Sequence, residues 1–188
     1  MEQQKSKKDL IIDEAISFLK ISLFSFVFIY LMQAFFFKPI HVEGDSMYPT
    51  LHNNDMGFTN VISRNIGGID RFDVVIIYMP ATNKYLVKRV IGLPGETISY
   101  SGNKLYVNGV YVEEPFLNQA YIDEFMLGID GYFTSDFGPI VLGEDEYFVL
   151  GDNRRKSSDS RFYGAFSASQ IIGKGVLILY PFNHIVAR

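Results

Sequence analysis

Residues 71–96 read RFDVVIIYMPATNKYLVKRVIGLPGE. Two β-branched runs stand out: Arg71 to Tyr78, ending before Met79-Pro80, and Tyr85 to Gly92, ending at Leu93-Pro94-Gly95. Such side chains pack well on a pleated surface, and the prolines and glycines punctuate the ends. The pattern recurs further along the chain. Lys104–Val107 and Val110–Val112 flank Asn108-Gly109, a strong signal for a two-residue hairpin turn. Glu146–Leu150 and Gly175–Tyr180 read as further strands. Ser167 to Ile172 suggests a short helix, whereas Phe116 to Gly138 is polar, aromatic and patternless and reads as a long loop or mobile flap. Many short strands with Gly/Pro punctuation predict a mainly β domain, an antiparallel sandwich or barrel, over residues 39–188.

Upstream, Ile21 to Phe37 reads ISLFSFVFIYLMQAFFF, with no charge and only Ser22, Ser25 and Gln33 polar. As a helix this run spans roughly 26 Å, slightly short of a ~30 Å hydrocarbon core. Ile16 to Leu19 extend it, with Lys20 snorkelling toward the near headgroups. Phenylalanine on every side argues against a soluble core helix. A cleavable leader would want a small-x-small site after the run, and Ala34-Phe35-Phe36-Phe37-Lys38-Pro39 is a poor one. The expectation is therefore one retained transmembrane anchor over 16–38, following an N-terminal segment 1–15. Lys5, Lys7, Lys8 and Lys20 precede or enter the span and only Lys38 follows closely. The positive-inside rule then puts the N-terminus in the cytoplasm and residues 39–188 outside a single-pass cytoplasmic membrane.

Composition removes several function classes. The chain has 188 residues and a net charge of −4, which disfavours a basic nucleic-acid binder. With no cysteine there is no disulfide scaffold, thiolate zinc site or cysteine nucleophile. His41, His52 and His184 are scattered and form no HExxH-type pair. Walker A and dinucleotide glycine patterns are missing, and Glu144-Asp145-Glu146 reads as a solvated acidic turn. No metal and no cofactor are expected. A Ser-His-Asp triad is open by count, but no Gly-x-Ser-x-Gly elbow frames a serine.

Three polar clusters remain inside apolar strand sequence. Gly44-Asp45-Ser46-Met47-Tyr48-Pro49-Thr50-Leu51 follows the anchor and, taken alone, is an ordinary turn. Lys88 sits in the strand between Val87 and Val90. Adjacent strand residues face opposite ways, so of Lys88 and Arg89 one points inward. Burial of a lysine lowers its pKa, and a neutral amine can take a proton from a serine hydroxyl. The third cluster, Gly151-Asp152-Asn153-Arg154-Arg155-Lys156-Ser157-Ser158-Asp159-Ser160-Arg161, follows a hydrophobic strand and reads either as a solvated loop or as an ion-pair bridge capping a polar site.

Taken together, the anchor, GDSMYPTL (44–51), RFDVVIIY (71–78), YLVKRVIGLPGE (85–96) and GDNRRKSSDSR (151–161) resemble, in order and over nearly the whole chain, a type I signal peptidase. That family comprises membrane-anchored Ser/Lys endopeptidases that remove signal peptides from exported proteins. The short span from Thr97 to Leu150 is similar to its compact bacterial, Gram-positive-like form. The resemblance implies a signal-peptidase-like β fold, shared with self-cleaving repressor peptidases. It implies Ser46 as nucleophile, Lys88 as general base and the Ser46 N–H as one oxyanion donor. Some members carry a serine two positions before the nucleophile; Gly44 stands there, so a backbone N–H or water at Gly44 is expected to complete the hole.

Ser157 matches a serine that orients the base lysine. Asp152, Asp159, Arg161 and Arg89 match supporting ion-pair positions. Arg155 and Lys156 fall at variable positions and, if close, would help keep Lys88 neutral. A shallow apolar pocket for small residues, often Ala, before the cut is expected from Val42, Met47, Leu51 and Leu86. The substrate would bind as an added strand near Val42 and Leu86. The implied partners are preprotein signal peptides and the lipid bilayer. Aromatic residues around Phe35 to Ile40, and flap residues Phe116, Phe125 and Phe133, are candidates for seating the domain at the interface, with ordinary packing the rival for the flap. Two alternatives differ in observable features. A self-cleaving repressor peptidase would have a partner module and no anchor. An inactive anchored β-domain binding protein would have lost the serine or the lysine.

Overall fold

The computed structural model describes residues 7–35, 37–61, 67–182 and 185–187. The chain divides into two units, Met1–Lys38 and Pro39–Arg188. The first is helix α1, Lys7–Phe35, which has no polar stripe along it. Its apolar stretch Leu10–Leu31 has 22 residues, a mean hydropathy of 1.7 and no buried part. At 1.5 Å per residue that is about 33 Å, enough to cross a hydrocarbon core. The helix covers part of segment 1–15 and runs through most of the expected anchor, 16–38, to Phe35. Asp13 and Glu14 interrupt the apolar run without breaking the helix.

The second unit, which the first strand enters from Phe37, contains two antiparallel sheets. Its strands are β1 (Phe37–His41), β2 (Met56–Asn60), β3 (Val74–Met79), β4 (Lys84–Gly92), β5 (Thr97–Ser101), β6 (Lys104–Val107), β7 (Val110–Val112), β8 (Phe137–Val141), β9 (Glu146–Leu150), β10 (Phe166–Ser167), β11 (Ile171–Tyr180) and β12 (Val186–Ala187). Among the described residues the larger sheet has the order β1-β2-β11-β3-β4-β9-β10, with β12 on β11; the smaller has β7-β6-β5-β8.

Strand β3 reads VVIIYM because it is buried on both faces. Val74 and Ile76 pack with Val42, Met47, Leu51, Val176 and Ile178. Val75 and Ile77, on the opposite face, pack with Val90, Val149, Phe166 and Ile171. A third cluster joins Ile91, Phe148 and Leu150 to Ile98, Tyr100 and Leu105 of the smaller sheet. The Asn108-Gly109 turn has positive φ at both residues (51° and 79°), the geometry that this dipeptide favours in hairpins.

The short helix expected in Ser167–Ile172 is a 3-10 helix, Ala168–Gln170, cut short because Ile171 already begins β11. One expectation is corrected. The segment 116–138 is not a structureless flap. Asn118 caps helix α2, Gln119–Met126, by accepting from the Tyr121 N–H. The segment then leads into β8, where Ile140 pairs with Ile98.

Candidate active site

Ser46 sits in a turn that buries its neighbours Met47 and Leu51 (1% and 0% exposed). That burial fixes the turn to the core and leaves Ser46 itself partly exposed. Its carbonyl accepts from the Asn153 N–H at 3.0 Å, linking the turn to the segment after β9. Among the described residues nothing accepts from the Ser46 N–H.

Lys88 lies mid-way along β4, opposite Val75 of β3. It is 2% exposed, and Arg89 is 5% exposed, so both cations are buried rather than one. The Lys88 Nζ donates to Ser46 Oγ at 2.7 Å and to the Val87 carbonyl at 2.9 Å. Burial lowers its pKa to about 8, while the more distant carboxylates of Asp159 and Asp152 act to raise it. A fraction of this amine is thus neutral near pH 8, within reach of the serine proton. Strand β9 pairs with β4 only from Arg89 onward. Among the described residues the Lys84–Lys88 half of β4 therefore pairs with one strand, β3, and no strand is paired to its other edge.

The segment 151–161 is held by three ion pairs, two of them buried on both sides and one, Arg161–Asp159, half-buried at its arginine. Arg89 grips Asp152 with two hydrogen bonds, at 2.8 and 2.6 Å, and Thr50 Oγ1 donates to the same carboxylate. The Arg89 guanidinium also lies 4.2 Å from the centre of the Phe116 ring. Arg161 grips Asp159 with two hydrogen bonds at 2.8 Å, and Asp159 accepts from the Gly151 N–H at 3.0 Å. Burial pushes the Asp159 carboxyl up, but Arg161 and the Gly151 N–H outweigh it and hold the group below the usual range.

The third pair went unread in the sequence. Arg154 is fully buried and donates to Glu114, Tyr100 Oη and Thr134 Oγ1, with its Nε on the Gly151 carbonyl. Glu114, Tyr100 and Thr134 are far from Arg154 in the chain and carry no local pattern that marks them. Thr50, by contrast, lies inside the Ser46 motif, where its hydroxyl could have been read as a ligand for a carboxylate.

Several expected features differ. The Gly44 N–H donates to Asn53 Oδ1 at 2.8 Å and is already committed, so it does not complete an oxyanion hole in this geometry. The expected bond from Ser157 to Lys88 is absent. Ser157 Oγ is buried without a hydrogen-bond partner, and its weak interaction with Asp159 falls short of hydrogen-bond geometry. Arg155 reaches the Tyr132 carbonyl and Lys156 lies over Phe125, so burial rather than these cations depresses Lys88.

Val42, Met47 and Leu51 share one apolar cluster, but the β4 residue packed on it is Val87. Leu86 packs against the opposite face of the sheet, so the four do not line one pocket. Of the residues expected to seat the domain at a membrane, Phe36, like His184, lies outside the described residues, as do the side chains of Phe35 and Phe37. The flap aromatics pack inward: Phe116 on Arg89, and Phe125 on Phe133, itself 2% exposed.

The chain matches the family model described as signal peptidase, peptidase S26, over residues 15–180. It is 41% identical over 181 residues to signal peptidase I S of Bacillus subtilis strain 168, covering 96% of this chain and 95% of that protein. It is 39% identical over 187 residues to a signal peptidase I of Bacillus amyloliquefaciens, covering 97% and 95%. A crystal structure of a signal peptidase I from Enterococcus faecalis is 34% identical, with a TM-score of 0.48, and covers 56% of this chain and 94% of that one. With the family match running from the anchor helix to the last long strand, this chain belongs to the signal peptidase family, peptidase S26.

Proposed function

We propose that this protein is a membrane-anchored serine endopeptidase that removes signal peptides from exported preproteins, with Ser46 as nucleophile and Lys88 as its general base. The observation that carries the assignment is the 2.7 Å contact between Lys88 Nζ and Ser46 Oγ, made by a lysine whose pKa burial has drawn down to about 8. Neutral Lys88 takes the proton from Ser46 as the oxygen attacks the scissile carbonyl carbon. The uncommitted Ser46 N–H faces the developing oxyanion. Lys88 then gives its proton to the leaving amine, which departs with the mature chain. The acyl-enzyme ester is hydrolysed by a water that Lys88 deprotonates in turn, restoring both groups.

Substrate binds extended along the free edge of β4 at Lys84–Lys88. A subsite beside Ser46 would have the buried Val42 and Met47, with the partly buried Val87 packed on them, as its floor. Such a floor allows little depth and admits small side chains such as Ala. Helix α1 holds this domain at the outer face of the cytoplasmic membrane, with segment 1–15 inside, the anchor within 16–38 and residues 39–188 outside.

The test is incubation of the detergent-solubilised full chain with a preprotein bearing an Ala-x-Ala site, beside Ser46→Ala and Lys88→Ala. Cleavage after the second Ala by wild type alone is expected. Cleavage by Ser46→Ala, or none by folded wild type in detergent and in lipid, would reject the assignment.

A further inference from the structure

The segment joining β7 to β8 carries helix α2, and it touches both chain segments that meet at Ser46. On the nucleophile side, the Tyr121 ring of α2 packs edge-on against Tyr48, with centroids 5.1 Å apart and planes at 68°. Tyr48 lies two residues after Ser46 and also stacks with His52 at 5.0 Å. Tyr121 continues the ring cluster into Phe125 at 5.7 Å and Phe133 at 6.0 Å. On the other side, Lys156 lies 5.8 Å from the Phe125 ring centre, and Arg155 donates to the Tyr132 carbonyl at 3.3 Å. The segment is thus moored to residues 155 and 156 at one end of the ring cluster and to the Ser46 turn at the other.

The turn is already held by the buried Met47 and Leu51, by the Asn153 N–H on the Ser46 carbonyl and by the Thr50 hydroxyl on Asp152, and helix α2 adds a hold on its Tyr48 side. The turn's own backbone bonds are few: Tyr48 N–H to the Asp45 carbonyl at 3.2 Å and Leu51 N–H to the Met47 carbonyl at 3.0 Å. Met47 and Leu51 anchor it from the core, but Tyr48 between them is 37% exposed, and its ring contacts are with His52 and Tyr121. The Tyr121 phenol is uncharged at neutral pH, and burial, with Tyr48 and Asp45, pushes its pKa further up. Edge-on aromatic contacts of this kind have a preferred geometry and so fix orientation as well as distance.

We infer that Tyr121 is a positioning residue for hydrolysis at Ser46: with Tyr48 it clamps the nucleophile turn, making helix α2 part of the active-site frame. The inference rests on the reading of Ser46 as nucleophile. A nucleophile displaced by about 1 Å can lose on the order of a hundredfold in rate. A turn released on one side is therefore expected to lose turnover rather than substrate affinity.

The experiment uses the full chain in detergent with Tyr121→Ala, Tyr121→Phe, Tyr48→Ala and the Tyr48→Ala/Tyr121→Ala double variant. Amide hydrogen exchange over residues 46–51, thermal midpoint, and kcat and KM on the Ala-x-Ala preprotein are measured. Tyr121→Ala should speed exchange across the turn and lower kcat by at least about tenfold, with KM nearly unchanged and Tm within a few degrees. Tyr121→Phe should keep wild-type values, and the double variant should be no worse than the poorer single, because the rings act as one unit. Unchanged exchange in Tyr121→Ala, a loss confined to KM, or equal damage from Tyr121→Phe overturns the clamp. Should Tyr121→Ala not fold, Tyr121→Leu takes its place under the same criteria. A wild type that cleaves nothing defeats the peptidase assignment, and the exchange measurement still decides the clamp.

Discussion

The Lys88 Nζ lies 2.7 Å from Ser46 Oγ, and its other contact is the carbonyl of Val87, one residue back along the same strand. Both acceptors are neutral. The nearest influential charges, Asp159 and Asp152, act only at longer range, so burial dominates and the pKa settles at about 8. If neutral Lys88 is the active form, kcat/KM rises tenfold per pH unit below that value and levels off above it. A profile on a short peptide substrate between pH 6 and pH 10 checks this. An activity independent of pH across that range would remove Lys88 from the role of base.

The same shift bears on stability, with a definite sign. The unfolded lysine titrates at 10.5 and the folded one at about 8, so between those values the unfolded chain holds the extra proton. Lys88 therefore opposes folding fully below pH 8, and its penalty fades as pH rises to 10.5, for a total of about 3 kcal/mol. Lys88→Met, which keeps the length and loses the charge, should be inactive yet melt at higher temperature than wild type at pH 7. The difference in Tm should shrink toward pH 10. An equal difference at both pH values would show that packing, not charge, causes it.

Gly151 offers a steric test. A Cβ there would collide with the Ser46 carbonyl oxygen and with Ser157 Oγ, both of which occupy the space it would need. The Ser46 carbonyl is also the atom that binds the Asn153 N–H. Gly151→Ala must therefore push the nucleophile turn away from Asn153. Its kcat should fall about a hundredfold, by the same positional argument, while Gly164→Ala, in open space but at φ +81°, should alter stability only. Wild-type kcat in a folded Gly151→Ala would show that the turn tolerates the shift.

Part of this arrangement was legible in the residues themselves. Lys88 stood out because a lysine inside the apolar run around VKRVIG cannot leave the strand, whereas GDSMYPTL alone read as an ordinary turn and Ser46 was singled out by the family resemblance. Strand β3 was legible for the same reason: a run of Val and Ile suits burial on both faces. Helix α2 was not, because its eight residues carry no buried side chain and the cap at Asn118 is a single residue. The Gly44 N–H, one of the two donors expected at the oxyanion hole, is taken by Asn53, nine residues on, a contact no local pattern announces. The pocket expectation failed on register. Leu86 and Val87 differ by one position, and one position moves a side chain to the other face of the sheet.

The buried Arg154 makes a prediction about stability. Its guanidinium spans Glu114, Tyr100, Thr134 and the Gly151 carbonyl, so it ties the smaller sheet to the segment that pins Ser46. Arg154→Met leaves Glu114 buried with only Tyr100 as donor and should cost about 3–5 kcal/mol. The double variant Arg154→Met/Glu114→Leu removes the stranded charge as well and should recover a large part of that loss. Urea unfolding of wild type, Arg154→Met, Glu114→Leu and the double variant gives the cycle, and a double variant no more stable than Arg154→Met would contradict a charge-stranding mechanism.

Orientation in the membrane is open to a simple assay because the chain contains no cysteine, so a single introduced thiol is labelled without background. Lys7, Lys8 and Lys20 lie at the start of α1 or within it, whereas Lys38 lies beyond its end. This bias predicts the N-terminus inside. Leu127, 84% exposed in the catalytic domain, then faces the outside. In intact cells a membrane-impermeant maleimide should label Leu127→Cys at once and Lys8→Cys only after lysis. The reverse pattern would place Ser46 in the cytoplasm, on the wrong side for a peptidase that meets preproteins as they emerge. Cleavage of an exported preprotein by the same cells would then have to come from another enzyme.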